Sequence, residues 1–131
     1  MDDLIIYRRK RPNGKFIGNE QPVMKVEYEK GRFIVFKKLA DAIGAKDNDA
    51  IMFSFSKSRG CAYIFKESPE VDSYYLSLAG PSRPYFRFTS KSLSGFFREI
   101  FEIPIINKVS YFELTGSKND KGHFEIKLQS N

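Results

Sequence analysis

Hydrophobic and polar residues alternate in short runs along most of this chain, which is the pattern of half-buried β-strands. In the run 23–28, for example, Val26 and Tyr28 fall on the side opposite Lys25 and Glu27. Similar strand-like runs predict strands at residues 4–7, 33–36, 50–55, 63–65, 74–78, 85–88, 109–114 and 123–128. The chain is therefore predicted to be rich in β-structure.

Two segments have helical spacing instead. Leu39, Ala42 and Ile43 follow the i, i+3, i+4 pattern of one apolar stripe, and Gly44 stands where a helix C-cap glycine belongs. The second helix is predicted to begin after Thr89 or Ser90, either of which can cap it, and to run to about Phe101. Its predicted buried face consists of Leu93, Phe96, Phe97 and Ile100.

The order of these elements occurs twice. Residues 33–65 and 85–128 each read strand, helix, strand, hairpin loop, strand, and another strand-like run precedes each copy. A half-unit that cannot close its own core predicts two halves around a pseudo-twofold axis. The predicted fold class is α+β and β-rich: one domain over residues 1–131, with internal repeats at approximately 22–67 and 73–129 and two short helices in one barrel.

Composition narrows the classes of partner and compartment. The 131 residues include 22 Lys and Arg against 16 Asp and Glu, a net charge of +6, which favours a polyanionic partner. A single cysteine, Cys61, excludes an internal disulfide and is typical of a reducing compartment. The sequence contains no apolar run of membrane length, and the acidic start at Asp2 and Asp3 is unlike a secretory signal. We therefore predict a soluble, cytoplasmic protein without a membrane partner.

Few residues are candidates for catalysis or for metal binding. Cys61 and His123 have no partner at the spacing that catalysis or metal binding needs, and Cys61 is predicted to be a small buried side chain. The sequence contains no phosphate-binding glycine loop, no nucleophile-elbow motif and no metalloprotease motif. We therefore predict no catalytic residues, no metal, no cofactor and no small-molecule substrate; the protein is predicted not to be an enzyme.

Basic clusters provide the functional signal. The segment 8–15 carries five positive charges in eight residues, on a strand and turn that could lie along phosphates: Arg8, Arg9, Lys10, Arg11 and Lys15. Arg32, Lys37 and Lys38 form a second basic group beside the first predicted helix. Lys57 and Arg59 form a third group on a predicted hairpin loop, where a merely polar turn is the simpler interpretation. The predicted partner is nucleic acid.

Residues 31–66 carry a family resemblance. Gly31 and Arg32 form a turn into the strand 33–35. Leu39 lies in the helix that follows, Ile43 and Gly44 end that helix, and an acidic turn at Asp49 leads into the strand that opens at Ile51. In the order and spacing of these features, the segment resembles the AbrB/SpoVT (MraZ-like) family of swapped-hairpin DNA-binding domains. The resemblance implies a swapped-hairpin-like barrel of two fused units and a transcriptional regulator of duplex DNA. It also implies that Arg32, and less directly Lys25 and Lys30, face the DNA.

Two other interpretations remain open. Residues 50–101 also have four strands and then a helix, an order similar to the Whirly and Pur-alpha binders of single-stranded DNA or RNA, with Tyr63, Tyr75 and Tyr85 as outward aromatics. A structural or protein-interaction domain of phage or mobile-element origin, which binds a protein partner at an exposed sheet edge, is the third. A homodimer is compatible with all three.

Overall fold

A computed structural model describes residues 21–67, 74–78 and 85–129 of the chain. The elements in this part are β1 (Val23–Glu27), β2 (Arg32–Phe36), α1 (Lys37–Ile43), β3 (Ala50–Ser56), β4 (Cys61–Glu67), β5 (Tyr74–Tyr75), β6 (Ser77–Leu78), β7 (Tyr85–Thr89), α2 (Lys91–Ile100), β8 (Val109–Lys118) and β9 (Phe124–Leu128). The predicted α+β, β-rich fold class is confirmed at this level. No helix in the described ranges is both long and apolar enough to cross a membrane.

The strands form one antiparallel sheet that curls into a barrel-like shape. Its order is β5-β3-β4-β9-β8-β1-β2-β7-β6. The two outermost strands, β5 and β6, are separated in the chain only by Leu76. The Leu76 N–H donates to the Asp49 carbonyl at 3.0 Å, while the next two residues pair with β7. Residues 74–78 therefore connect the two edges of the sheet, because they pair with β3 at one edge and with β7 at the other.

Four of the pairings join the first half of the chain to the second: β2–β7, β4–β9, β1–β8 and β3–β5. β2 pairs with β7 over its whole length, from Arg32 opposite Thr89 to Phe36 opposite Tyr85. β4 pairs with β9, with Tyr63 opposite Glu125. In addition β1, whose hairpin partner is β2, pairs on its other side with β8. Neither half closes a sheet by itself, because each half supplies strands that lie between strands of the other half.

The main hydrophobic core lies on one side of this sheet and is closed by both helices. The alternation that predicts Val26 and Tyr28 on one side is confirmed, since Val26 in β1 and Tyr28, directly after β1, are both buried in this core. In α1, Leu39 and Ile43 are buried as predicted, and Gly44 ends the helix in the left-handed conformation with a φ of 74°. The predicted stripe is wrong at one position, because Ala40 is buried and Ala42 is exposed. The buried stripe is Leu39, Ala40 and Ile43, an i, i+1, i+4 set that fits helical spacing as well as the predicted one, so spacing alone does not choose between the two.

Helix α2 begins at the predicted cap. The Ser90 hydroxyl accepts a hydrogen bond from the Leu93 N–H at 3.2 Å. Phe97 is the central buried residue of the helix, with ring contacts to five other phenylalanines: Phe33, Phe53, Phe55, Phe101 and Phe112. The predicted burial of Phe96 is wrong, because its side chain is 44% exposed and meets Phe55 edge-on; Ile100 is only half-buried.

The directions and register of the strands show which turns lie at the same end of the sheet. Glu27 pairs with Arg32 and Arg32 with Thr89, so the β1–β2 turn lies beside the point where β7 ends and α2 begins. β8 also starts there, because Val109 pairs with Glu27. β9 runs back to this end and β4 starts from it, which brings the β3–β4 turn at residues 57–60 to the same end. We call this the α2 end; α1 and the β8–β9 turn lie at the opposite α1 end.

Candidate nucleic-acid interface

Lys25 and Arg32 lie together on the outer face of the β1–β2 hairpin. Both contact Glu27: Lys25 Nζ is 3.2 Å from Glu27 Oε2, and Arg32 Nε is 3.4 Å from Glu27 Oε1. The three side chains meet because Lys25 and Glu27 are two residues apart on one strand and Arg32 is the cross-strand neighbour of Glu27. The group carries one net positive charge and is half-buried, so its charge is available to a phosphate but partly neutralised.

Lys30 lies on the β1–β2 turn at the α2 end, where the fold adds two further lysines. The Ser90 N–H donates to the Gly31 carbonyl at 2.8 Å, which fixes the turn against the start of α2 and Lys91. The Tyr28 N–H donates to the Lys108 carbonyl at 3.0 Å, which fixes the residue before β8 to the same turn. All three lysines are exposed, and none has an ion pair with a described carboxylate.

Arg98 orders the loop that leads to Lys108. Its guanidinium donates to the carbonyls of Ile103 at 3.3 Å and Asn107 at 3.0 Å, and also to that of Pro104. The same group lies 4.3 Å from the centre of the Tyr28 ring, a cation–π contact. Arg98 therefore joins α2, the following loop and the β1–β2 turn into one unit, and it adds a further cation beside Lys91 and Lys108.

The β3–β4 turn brings Lys57 and Arg59 to the α2 end as well. Lys57 is exposed. Arg59 is held by a carboxylate, because its Nη2 lies 3.4 Å from Oε2 of Glu125, a residue only 4% exposed. The Thr115 hydroxyl donates to the other Glu125 oxygen at 2.6 Å. This hydrogen bond is the main reason that the pKa of Glu125 is lowered. Burial of the carboxylate raises the pKa, but Cys61, Arg59 and Lys127 each lower it further. Of the two predicted turn residues, Lys57 is the freer to meet an anion.

Cys61 and His123 lie on the outer side of β4 and β9. Cys61 is fully buried, as predicted, and burial raises the pKa of its thiol, which disfavours the nucleophilic thiolate. The His123 ring stacks on the Phe65 ring with centroids 3.6 Å apart, and its Nδ1 is buried without a hydrogen bond to any described residue. Within the described ranges, no three His, Cys, Asp or Glu side chains cluster as metal ligands would.

The structure thus brings Lys30, Lys57 and Arg59 to one end of the sheet and places Lys25 and Arg32 on the outer face beside it. Arg8, Arg9, Lys10, Arg11 and Lys15 lie outside the described residues. Sequence reasoning missed Lys91, Arg98 and Lys108 as members of the α2 end. They are scattered along the chain without a charge run, and no spacing rule links them to Lys30.

Comparisons with protein-family models, with curated proteins and with solved structures find no match to this chain.

Proposed function

We propose that this chain is a non-enzymatic protein that binds nucleic acid, most specifically duplex DNA, as a transcriptional regulator resembling the AbrB/MraZ type. The observation that carries the proposal is the basic α2 end. Four segments far apart in sequence contribute cations there, from the β1–β2 turn, the β3–β4 turn, α2 and the loop before β8. Cations from several elements on one surface can contact several phosphates at once, which is the main source of affinity for duplex DNA.

The strand pairings support the swapped-hairpin arrangement that the resemblance implies. If β7 is the counterpart of β2 and β9 the counterpart of β4, then each of these strands pairs with its own counterpart. The β1–β2 hairpin of the first unit lies beside β8 of the second unit, not beside its own β3. Such pairings are those expected of two units that exchange hairpins around a twofold axis. Duplex DNA has pseudo-twofold symmetry, which would match such an axis and favours duplex as the partner.

The single-strand alternative receives less support from the outward aromatics. Base stacking needs an open ring face, but Tyr63 is only 8% exposed, and Tyr85 packs edge-on against Phe36 with centroids 5.8 Å apart.

One observation does favour a protein-interaction role as the second candidate. Ile105 and Ile106, in the loop between α2 and β8, are 80% and 82% exposed, and adjacent exposed isoleucines are typical of a surface that meets another protein.

The proposal is tested by measuring binding to a short mixed-sequence duplex and to either single strand across a range of salt concentrations. The test variant replaces Lys30, Lys91 and Lys108 with Ala. The matched control replaces three exposed lysines at the α1 end, Lys38, Lys46 and Lys121, and so changes the net charge equally. We expect tighter binding to duplex than to single strands. In the test variant the slope of log affinity against log salt should flatten by up to about three phosphate contacts.

The control separates a local surface from general charge attraction. Equal losses in the two triple variants would show that only net charge matters and would contradict the α2 end as the interface. Tighter binding to single strands would support the Whirly-like alternative, and no salt-dependent binding to either form would contradict nucleic-acid binding altogether.

A further inference from the structure

A cavity of about 230 Å³ lies at the α2 end, between α2, the β1–β2 turn and the loop before β8. The residues that matter for its chemistry are Tyr28, Glu29, Lys91, Gly95, Arg98 and Lys108. They come from three separate elements, and the contacts of Arg98 with Tyr28 and with the Asn107 carbonyl hold those elements together. The cavity is thus part of an ordered arrangement.

The charges that line this cavity favour an anion. Lys91, Arg98 and Lys108 contribute three positive charges, and Glu29 contributes one negative charge. Arg98 is committed to backbone carbonyls, so it acts mainly through its field. The amino groups of Lys91 and Lys108 have no ion pair with a described carboxylate, so both can turn to a bound anion.

Gly95 leaves room for a ligand at the middle of the helix. A glycine inside a helix is destabilising relative to alanine because the backbone loses more conformational freedom on folding. Neither the backbone nor the packing requires it here, since Gly95 lacks a positive φ and a β-carbon built on it would have nothing within 4 Å. A larger side chain at this position would therefore enter the cavity. It lies on the same helix face as Lys91 and Arg98, at i−4 and i+3.

Tyr28 forms one wall of the cavity. Its side chain is 8% exposed, and its ring lies against the Arg98 guanidinium. Its hydroxyl interacts with Ser110, which does not line the cavity, so the Tyr28 ring shapes the site and the lysines supply its contacts.

We propose that this cavity binds one phosphate group of the nucleic-acid backbone, with Lys91 and Lys108 as its direct contacts and Arg98 as the residue that positions the loop. This inference rests on the proposed function and deepens it. It makes α2, and not the strands alone, a phosphate-binding element.

The test compares Gly95→Glu with Gly95→Gln in the full-length protein. The two side chains have almost the same size and similar helix propensity, but only glutamate introduces a negative charge beside the lysines. We expect the glutamine variant to bind duplex more weakly than the parent, because its side chain occupies space that Gly95 leaves for the phosphate but adds no charge. The glutamate variant should bind about tenfold more weakly than the glutamine variant, with a salt slope flatter by about one contact. In the unmodified protein, duplex should shift the backbone NMR signals of Lys91 and Gly95.

Each outcome has a distinct meaning. If the parent binds duplex and the two variants bind equally well, or lose affinity equally, the phosphate site is overturned while the proposed function stands. Unshifted signals at Lys91 and Gly95 in the presence of bound duplex overturn it as well. If the parent binds no nucleic acid, the proposed function fails, and this inference fails with it. Circular dichroism and thermal unfolding of both variants establish that they fold.

Discussion

Gly31 lies directly against Lys91, so that a β-carbon at Gly31 would be only 2.7 Å from the Lys91 Cα. Gly31 also has a φ of 67°, a conformation that favours glycine. Its carbonyl accepts the hydrogen bond from Ser90, the residue that caps α2. One glycine therefore permits the contact between the β1–β2 turn and the start of α2, and with it the arrangement of lysines at the α2 end.

We predict that Gly31→Ala destabilises the protein more than Gly60→Ala does. Gly60 is a matched control because it has a φ of 63° in the β3–β4 turn, but a β-carbon at this position would have nothing within 4 Å. Gly60→Ala should cost about 1–2 kcal/mol of the free energy of unfolding, from backbone strain alone. Gly31→Ala should lose about 1–3 kcal/mol more, because the backbone of Lys91 must move. Urea unfolding measures both, and equal losses would contradict the close contact.

Leu39→Ala should lower the free energy of unfolding by about 2–5 kcal/mol, the range for emptying a packed core site. Leu39 is fully buried in the main core. The same change at Leu128, which is 41% exposed, should cost less than about 1 kcal/mol. Chemical denaturation of both variants makes the comparison, and a Leu39 loss as small as that at Leu128 would mean that α1 does not close the core.

Glu125 should make stability depend on pH in the acid range. The Thr115 hydrogen bond is the main reason that the pKa of Glu125 is lower in the folded protein than its ordinary value of 4.5. A carboxylate with a lowered pKa contributes stability that is fully present above the unfolded value and is lost as pH falls through the folded one. We therefore expect Glu125→Gln to flatten the fall of the urea midpoint below about pH 4.5. Thr115→Val should flatten it partly, and an unchanged acid slope in both variants would contradict this contact.

The basic segment at residues 8–11, outside the described residues, carries a prediction from sequence alone. Replacing Arg8, Arg9, Lys10 and Arg11 with Ala should weaken binding to any duplex, because phosphate contacts do not depend on sequence. The salt slope should flatten by up to about four contacts. Thermal stability should hardly change, since we predict these side chains to be exposed, and exposed charges contribute little to folding. Binding equal to that of the parent would show that this segment serves only solubility.

Local features of this protein could be predicted from its sequence. The helix stop at Gly44, the cap at Ser90 and the buried positions Leu39 and Phe97 each depend on a few neighbouring residues and on the geometry of one element. Alternation likewise determines which side of β1 carries Lys25. Such patterns act over a few residues, so they can be recognised without knowing what the element packs against.

Which strands pair with each other is decided by the tertiary structure. Alternation predicts which face of the sheet a side chain lies on, but it does not specify the partner strand. It therefore could not show that β1 pairs with β8 or that β2 pairs with β7. Those pairings bring Lys30 beside Lys91 and Lys108, residues that are far apart in the chain. They also determine that Ala40 is buried and Phe96 is exposed, because a helix turns inward whichever face the completed core can cover. Local sequence therefore specifies the elements and most of their faces, whereas the long-range packing of the whole core sets how they assemble into the basic α2 end.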